Sequence, residues 1–336
     1  MIAHNKPTLG KQEQHAASRV LESGYIAQGP EVEKFENEFC DFLGLPEKHA
    51  VALSSGTSSL YLALWSLEAK NKSIAMPVYV CSSLRNAVAM SHANEVLVDN
   101  KVDSPNICLS QLQKSNADIA IIPHMFGIPN QIQTIKNIDI IEDCAQSLGA
   151  SLENKKTGLI GKAGVFSFYA TKLMTSGGQG GMFVSNDKNL VDQVRDYREF
   201  DCRMDKKKRF NFQMTDIQAS IGRAQLKKLP FFLERRREIF NMYKESGLNL
   251  IECETTNSVH YRAVISVQSP LKIKDQLEKK GIKTIIPIED WELLGDGVNY
   301  KHSYNFTQTT LSLPIYPSLL NKDVVNIINQ LDKLIK

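Results

Sequence analysis

One lysine lies where a protein can form a chemically reactive amine. Lys172 lies between a strand-like stretch that ends near Phe168 and a glycine-rich segment over 176–181. A lysine between a strand and a glycine turn can be partly desolvated, which lowers the pKa of its amine and favours Schiff-base formation. An ordinary solvated lysine is the alternative for this residue.

Two acidic residues end an apolar stretch earlier in the chain. Glu142 and Asp143 lie at the end of a strand predicted over 138–142, and open α/β sheets bind ligands at the carboxyl ends of their strands. A carboxylate there is costly to desolvate unless it faces a cation or several donors. A protonated pyridine nitrogen is one suitable cation, and a helix N-cap by Asp143 is the alternative.

A third segment is suited to binding phosphate. Residues 54–57 lie between a predicted strand and a predicted helix, where free backbone N–H groups and the helix dipole favour an anion. An ordinary N-cap with a tight turn is the alternative. Together, a phosphate cradle, a strand-end aspartate and a later lysine are the parts that a protein needs to hold pyridoxal phosphate (PLP).

An alternation of strands and helices must position these segments. Two amphipathic helices are predicted first, over 12–23 and 30–43, and they end at Gly24 and Gly44. Five strands and two helices follow, with the strands over 50–53, 73–78, 95–98, 119–123 and 138–142 and the helices over 58–67 and 85–92. This pattern predicts a mostly parallel sheet that is covered on both faces.

The second half of the chain has shorter and more glycine-rich strands, predicted over 164–168, 177–181 and 182–185. A long helix is predicted over 214–246, with a break near Pro230 as the alternative to one continuous helix. A strand–helix–strand unit and a closing helix follow, over 260–267, 272–280, 282–286 and 322–336. We place a domain boundary near residue 235, which gives a large domain over 1–235 and a smaller one over 236–336.

The composition argues against several classes of protein. The 336 residues contain 40 Lys and Arg against 37 Asp and Glu, a net charge of +3, which lacks the basic footprint of nucleic-acid binding. The apolar run over 119–123 is far shorter than the roughly 20 residues that span a bilayer. The first residues also lack the apolar region of a signal peptide. We therefore expect a cytoplasmic protein without nucleic-acid or membrane partners.

Two kinds of binding motif are missing from the sequence. The six cysteines and seven histidines do not cluster at metal-ligand spacing, so we expect reduced thiols and no metal site. Neither a P-loop nor a dinucleotide-binding fingerprint is present. A phosphate site, if the chain has one, must therefore be built in another way.

The chain resembles the DegT/DnrJ/EryC1/StrS family of PLP-dependent sugar aminotransferases. The matching stretches run in family order over almost the whole chain, at 29–36, 55–57, 142–146, 167–172, 211–219 and 311–314. The resemblance implies an α/β protein with the PLP-dependent transferase (aspartate aminotransferase, type I) fold. In that fold a large domain with a mostly parallel mixed sheet is joined to a smaller C-terminal α/β domain.

The resemblance also implies roles for individual residues. Lys172 would hold the cofactor through a Schiff base and would move protons during catalysis. Asp143 would pair with the pyridinium nitrogen and keep it protonated. Gln146 would bond the 3′ oxygen of the ring.

The remaining implied contacts are with the cofactor phosphate. Gly56, Thr57 and Ser167 would hold it within one chain. Asn211 would reach the same phosphate from the neighbouring subunit. The resemblance therefore implies a homodimer with a shared active site.

Some positions depart from the family pattern or have a second interpretation. The family commonly has an aromatic residue stacked on the cofactor ring where this chain has Cys81, so Cys81 and Tyr79 are both candidates for that contact. His124 matches a family histidine near the cofactor and is a candidate for contact with the substrate, with a structural role as the alternative. Lys208 and Arg209 belong to a basic run that either is a solvated loop or attracts a sugar-nucleotide diphosphate.

We therefore expect a PLP-dependent aminotransferase that converts a nucleotide-linked keto-sugar to an amino sugar. The resemblance implies glutamate as the amino donor and pyridoxamine phosphate as the form of the cofactor between the two half reactions. One branch of the family has histidine in place of the lysine and dehydrates sugars, and Lys172 argues against that branch. The alternatives are a PLP enzyme acting on a non-sugar carbonyl or amino acid, and a non-catalytic PLP-binding regulatory protein.

Overall fold

The computed structural model describes residues 1–253 and 256–335. In the described residues the strands, numbered in chain order, are β1 (Ala50–Leu53), β2 (Ser73–Pro77), β3 (Asn94–Val98), β4 (Ile119–Pro123), β5 (Asp139–Asp143), β6 (Ser151–Leu152), β7 (Lys155–Lys156), β8 (Ala163–Ser167), β9 (Gly181–Val184), β10 (Ala263–Ser266) and β11 (Thr310–Leu313). The helices are α1 (Lys11–Ser23), α2 (Pro30–Leu43), α3 (Gly56–Ser66), α4 (Ser83–Met90), α5 (Leu109–Lys114), α6 (Lys188–Arg198), α7 (Asp216–Glu245), α8 (Pro270–Lys279), α9 (Lys301–Thr309) and α10 (Asn321–Ile335).

The main sheet of the described residues has seven strands in the order β1-β9-β8-β5-β4-β2-β3. Neighbours from β3 to β8 pair in parallel, whereas β9 is antiparallel to both β8 and β1. The sheet is therefore mostly parallel and mixed, which confirms the predicted class. Because the strands are parallel, the carboxyl ends of β4, β5 and β8 lie at one edge.

Helix α2 illustrates how local sequence determines an element of this fold. Pro30 occupies its first turn, and Gly44 ends it with a φ of 82°, a conformation that favours glycine. Val32, Phe35 and Phe39 recur at helical spacing and are buried. They pack on one face of the sheet, where the Phe39 ring lies 5.1 Å from the ring of Phe166 in β8.

The core of the protein lies on both faces of the sheet and in a second region near the C-terminus. Along β8, Phe166 belongs to the cluster on the α2 side, whereas Val165 packs with α3 on the other face. A further cluster is built on β10, β11, α8 and α10. Within the described residues, no helix is both long enough and apolar enough to cross a membrane.

The division into two domains near residue 235 falls within α7, which is continuous. Leu229 packs with the α2 side of the large sheet, whereas Ile239 and Tyr243 belong to the C-terminal cluster. We retain residue 235 as a proposed boundary, because the change of packing partner occurs around it.

The structure decides or corrects several element predictions. Helix α7 passes through Pro230 without a break, because buried Leu229 and Phe232 hold both halves against the core and outweigh one missing backbone hydrogen bond. Residues 177–180 form a turn, since Gly177 and Gly178 have φ values of 73° and 113° that strands do not adopt, whereas Gly181 begins β9. Residues 282–286 contribute only isolated bridges. The last residue of the predicted closing helix, 336, lies outside the described residues.

Helix α6 was not predicted, although its sequence contains a usable signal. Most of its residues are polar, which hides the periodicity. Leu190, Val191, Val194 and Tyr197 are nevertheless buried at helical spacing, and Asp187 caps the helix by accepting a hydrogen bond from the Asn189 N–H at 2.9 Å.

Candidate active site

The carboxyl ends of two strands and the start of a helix meet at one pocket of about 330 Å³. Asp143 ends β5, Ser167 ends β8 and Gly56 begins α3. Six residues named from the sequence line the pocket, and they are Gly56, Thr57, Cys81, Asp143, Ser167 and Lys172. The structure thus brings together the lysine, the strand-end aspartate and the Ser-Gly-Thr turn.

The first turn of α3 presents two free backbone donors at this pocket. Ser55 caps the helix, because its hydroxyl accepts from the Ser58 N–H at 3.0 Å and its carbonyl accepts from the Ser59 N–H at 3.1 Å. The N–H groups of Gly56 and Thr57 have no acceptor among the described residues. Two free amides at the positive end of a helix dipole fit a phosphate group.

Close packing holds Ser167 beside these amides. A Cβ atom at Gly56 would lie 2.9 Å from the Ser167 Cβ, so glycine allows the helix to approach the end of β8. A Cβ atom at Gly181 would lie 2.2 Å from the Ser55 carbonyl oxygen. The Ser167 hydroxyl accepts a long hydrogen bond from the Tyr169 N–H at 3.4 Å, which leaves its own proton free to donate.

The Asp143 carboxylate is buried and has few partners. Its Oδ1 accepts from the Ala145 N–H at 2.9 Å, and within the described part of the chain no other hydrogen bond reaches it. Burial raises the pKa of this carboxyl, while Ala145, Lys172 and His124 act in the opposite direction without cancelling it. A cationic ring nitrogen beside Asp143 would offset this cost, so the carboxylate fits a protonated pyridine.

Lys172 is fixed by its backbone. Its N–H donates to the Tyr169 carbonyl at 2.9 Å, and the Thr171 carbonyl accepts from Asn5 Nδ2 at 2.7 Å. Its Nζ lies 5.7 Å from the centre of the Tyr261 ring, and it has neither an ion pair nor a hydrogen bond to a described residue. The amine is therefore available to a ligand in the pocket.

His124 lies in the core. Its Nδ1 accepts from the Asn130 N–H at 3.0 Å, so its proton is on Nε2, which donates to Glu142 at 2.9 Å. Glu142 also accepts from three backbone N–H groups at 2.6 to 2.8 Å, those of Gly158, Ile160 and Gly161. Both ring nitrogens are occupied within the fold. This corrects the expectation that His124 contacts substrate.

The same buried group includes a third side chain that can bind metal. His124, Glu142 and Cys144 offer ligand atoms within 4.8 Å of one another. Their hydrogen bonds already use both imidazole nitrogens and both carboxylate oxygens. Burial, followed by the neighbouring Glu142 charge, raises the pKa of the Cys144 thiol well above its ordinary value, whereas a metal requires the thiolate. We therefore assign this group a structural role.

The Gln146 side chain is oriented by the turn that contains Phe126. The Phe126 N–H donates to Gln146 Oε1 at 2.8 Å, which identifies Nε2 as the end of the amide that remains free to donate. Phe126 has a φ of 59°, a strained value for a bulky residue. Gln146 is thus poised as a donor, although it is not among the residues that line the pocket.

Tyr79 and Cys81 occupy different environments. The Tyr79 ring is fully buried, with its ring centre 6.3 Å from that of Phe126 and 5.6 Å from that of Phe306. Cys81 is exposed and lines the pocket. This corrects the expectation that Tyr79 reaches the cofactor, because packing between two phenyl rings directs it into the core.

The remaining candidates lie outside the pocket of their own chain. The Arg209 guanidinium is paired with Asp205 of its own loop at 2.6 Å and with Asp196 of α6 at 2.9 Å, so its charge is compensated within the chain. This pairing weighs against the diphosphate interpretation of Arg209, which stays a prediction. Lys208 and Asn211 are both exposed. The contact of Asn211 with a partner's cofactor stays a prediction.

The sequence interpretation missed three residues near Lys172. Tyr169 and Gln179 line the pocket, and both lie in the segments whose prominent features are the lysine and the glycines. Tyr261 lies beside Lys172 but far from it in sequence, just before β10. The only local signal for Tyr261 is its position at the start of a predicted strand.

Comparison with known proteins agrees with this geometry. The model of the DegT/DnrJ/EryC1/StrS aminotransferase family matches residues 7–332. MJ1066 of Methanocaldococcus jannaschii is 30% identical, over 98% of this chain and 96% of its own length. GDP-perosamine synthase of Escherichia coli O157:H7 is 27% identical, over 98% of this chain and 97% of its own length. The PLP form of Spr1654 from Streptococcus pneumoniae superposes with a TM-score of 0.90 at 22% identity, over 99% of this chain and 98% of that one.

The chemistry of the residues at the pocket fits PLP. The free lysine amine suits its aldehyde, the buried carboxylate suits its ring nitrogen, and the two unpaired amides suit its phosphate. The family match covers nearly the whole chain, and the fold agrees with it. The chain therefore belongs to the DegT/DnrJ/EryC1/StrS aminotransferase family and is a PLP-dependent aminotransferase.

Proposed function

We propose that this protein transfers an amino group from L-glutamate to a nucleotide-linked keto-sugar. The observation that carries the proposal is the convergence of Lys172, Asp143 and the free amides of Gly56 and Thr57 on one pocket. The relative named GDP-perosamine synthase supports a sugar nucleotide as the acceptor.

Each of these groups has a task in transamination. PLP, when bound, supplies an electron sink for the carbon that loses a proton. Asp143 keeps the ring nitrogen protonated, the α3 amides hold the phosphate, and Lys172 carries the proton to and from the reacting carbon. Ser167 adds a hydroxyl donor to the phosphate, and Gln146 offers its Nε2 to a ring oxygen.

We also propose that the active form is a homodimer in which Asn211 reaches the partner's cofactor phosphate. Asn211 lies on an exposed segment next to Phe210, which is 59% exposed. An exposed aromatic residue beside a polar residue without a role in its own pocket supports an interface there. Sedimentation equilibrium of the purified protein tests the assembly, and a monomeric active enzyme would refute it.

The catalytic assignment is tested by spectroscopy. The protein reconstituted with PLP should absorb in the visible range as a lysine-bound cofactor, and L-glutamate should convert this absorbance to that of the pyridoxamine form. Lys172→Ala should lose both signals. Lys162→Ala, which removes an exposed lysine, is the matched control and should retain them, whereas an active Lys172→Ala variant would overturn the assignment.

The acceptor class is tested separately with the pyridoxamine form. Nucleotide-linked keto-sugars, the same keto-sugars without the nucleotide, and simple 2-oxo acids are compared for their ability to regenerate the PLP form. We expect the nucleotide-linked sugars to give the highest kcat/KM. A preference for 2-oxo acids alone would contradict the sugar assignment and leave the transaminase assignment intact.

A further inference from the structure

One thiol faces the cofactor pocket without a partner. Cys81 is exposed and lines this pocket together with Lys172 and Asp143. It is in no disulfide, and its side chain forms no hydrogen bond with a described residue. The structure describes all six cysteines, and Cys202 is the only other exposed one. Cys202 does not line the pocket, so Cys81 is the thiol that a solute meets there.

The chain on both sides of Cys81 is anchored. Val80 and Leu84 are buried in the cluster on the α3 face of the sheet. In the first turn of α4, the Asn86 N–H donates to the Ser82 carbonyl at 3.0 Å. Because buried residues precede and follow it, Cys81 stays at the wall of the pocket and does not turn into the core.

The pocket around this thiol is suited to an anion, independently of the thiol itself. The N–H groups of Gly56 and Thr57 are unpaired at the start of α3, and the Lys172 amine has no ion pair with a described residue. Among the described residues that line the pocket, Asp143 is the only carboxylate; it is 8% exposed and already accepts from the Ala145 N–H. In the cofactor-free protein these donors can therefore bind the carboxylates of another solute.

Disulfides of low-molecular-weight thiols combine both chemistries. Glutathione disulfide reacts with a protein thiolate by disulfide exchange, and it carries more carboxylates than amines. Cystamine reacts in the same way but carries amines and no carboxylate. A pocket with free N–H donors and a lysine amine favours the first of these two reagents.

We propose that Cys81 is a site of mixed-disulfide formation with an anionic low-molecular-weight disulfide, and that this modification and bound PLP exclude each other. The Cys81 thiolate attacks one sulfur of glutathione disulfide, so that a new S–S bond forms and the old one breaks. Cys81 is oxidised, and the leaving glutathione is reduced and takes up the proton that Cys81 lost. The pocket of about 330 Å³ is at the lower end of the roughly 300–1,000 Å³ of small-molecule sites, so it holds one of the two groups at a time. The inference goes beyond the proposed transamination, because it concerns the cofactor-free protein.

Peptide mass mapping tests the site directly. The full-length protein is incubated with glutathione disulfide, with and without PLP, and the glutathione adduct on each cysteine is followed over time. PLP at about ten times its Kd leaves roughly a tenth of the pockets open, so the rate at Cys81 should fall roughly tenfold. Cys202 is the internal control, and its rate should change by less than about twofold.

The choice of an anionic reagent is tested in the cofactor-free protein with Lys172→Ala. Loss of the amine should slow glutathione disulfide at Cys81 at least about threefold and should not slow cystamine. The matched control is Lys162→Ala, because Lys162 is exposed and does not line the pocket. It should leave both rates at Cys81 within about twofold of the parent values.

The reverse effect is measured as PLP binding after modification. The modified parent should lose PLP binding, measured by fluorescence titration, and should recover it when dithiothreitol removes the glutathione. Cys81→Ala should have the same Kd for PLP before and after treatment. Cys202→Ala should respond to the treatment as the parent does.

Three outcomes would overturn the proposal. They are a parent without an adduct on Cys81, a rate at Cys81 that bound PLP does not lower, and equal rates with glutathione disulfide in Lys172→Ala and the parent. If Cys81→Ala does not fold, mass mapping of the parent decides the question alone. A parent that lacks the lysine-bound absorbance refutes the proposed function, whereas the adduct on Cys81 is measured without PLP, so the two failures stay distinct.

Discussion

The buried Glu142 carboxylate offers a sharp test of how this fold is stabilised. It accepts hydrogen bonds from His124 Nε2 and from the N–H groups of Gly158, Ile160 and Gly161. Its Oε2 serves the first two donors and its Oε1 serves the other two. Glu142→Gln keeps the shape of the side chain but replaces one of these oxygens with an amino group.

The cost of this change follows from counting donors. Whichever way the new amide turns, its amino group faces two N–H donors that then lack an acceptor. His124 cannot adapt by moving its proton, because Nδ1 already accepts from the Asn130 N–H. An unsatisfied buried donor costs about 1–3 kcal/mol, so the free energy of unfolding should fall by about 2–6 kcal/mol. That is a large part of the roughly 5–15 kcal/mol of a typical protein.

Urea unfolding, followed by the fluorescence of Trp65 and Trp291, measures this loss through the midpoint and the slope of the transition. Glu33→Gln is the matched control, since Glu33 is exposed on α2, and it should change the free energy of unfolding by less than about 0.5 kcal/mol. A loss below about 1 kcal/mol in Glu142→Gln would refute the donor count and the structural role given to His124.

Two further predictions concern the cofactor pocket. In Gly181→Ala the new Cβ would lie 2.2 Å from the Ser55 carbonyl oxygen, whereas in the control Gly10→Ala the nearest atom is at 3.9 Å. The start of α3 must shift in Gly181→Ala but not in Gly10→Ala. The Kd of Gly181→Ala for PLP, measured by fluorescence titration, should therefore rise at least about tenfold, which corresponds to 1.4 kcal/mol. Because burial raises the folded-state pKa of Asp143, the cofactor-free protein should lose stability as pH rises from about 4 through that pKa. The free energy of unfolding of Asp143→Asn minus that of the parent, measured with urea, should therefore be larger at pH 7 than at pH 4. An equal difference at both pH values would contradict the buried carboxylate.

The parts of the fold that the sequence predicted are those with local causes. The strand β1 is found over the predicted residues because a short apolar run is followed by a helix cap. Gly56, Asp143 and Ser167 lie at ends of elements, and parallel strands bring such ends to the same edge. A reader of the sequence can therefore place these residues together without knowing any distance.

The parts that the sequence could not predict depend on contacts between distant segments. His124 directly follows the end of β4, as a ligand-binding residue would, but its two ring nitrogens are bonded to Asn130 and Glu142. Tyr79 is two residues from a pocket residue and still packs between two rings of the core. No local pattern distinguishes these cases, because the partners that decide them come from other elements.

The two arginines Arg209 and Arg262 show why charge has to be judged by pairing. Arg209 lies in the basic run that the sequence favoured, yet Asp205 and Asp196 compensate it. Arg262 belongs to no basic run and has no carboxylate partner among the described residues, although it lies on the same tyrosine ring as Lys172. The net charge of +3 gives no information about either arginine, because binding depends on which cation the fold leaves without an anionic partner. By that criterion Arg262 has an uncompensated charge near Lys172, whereas the charge of Arg209 is already compensated within its own chain.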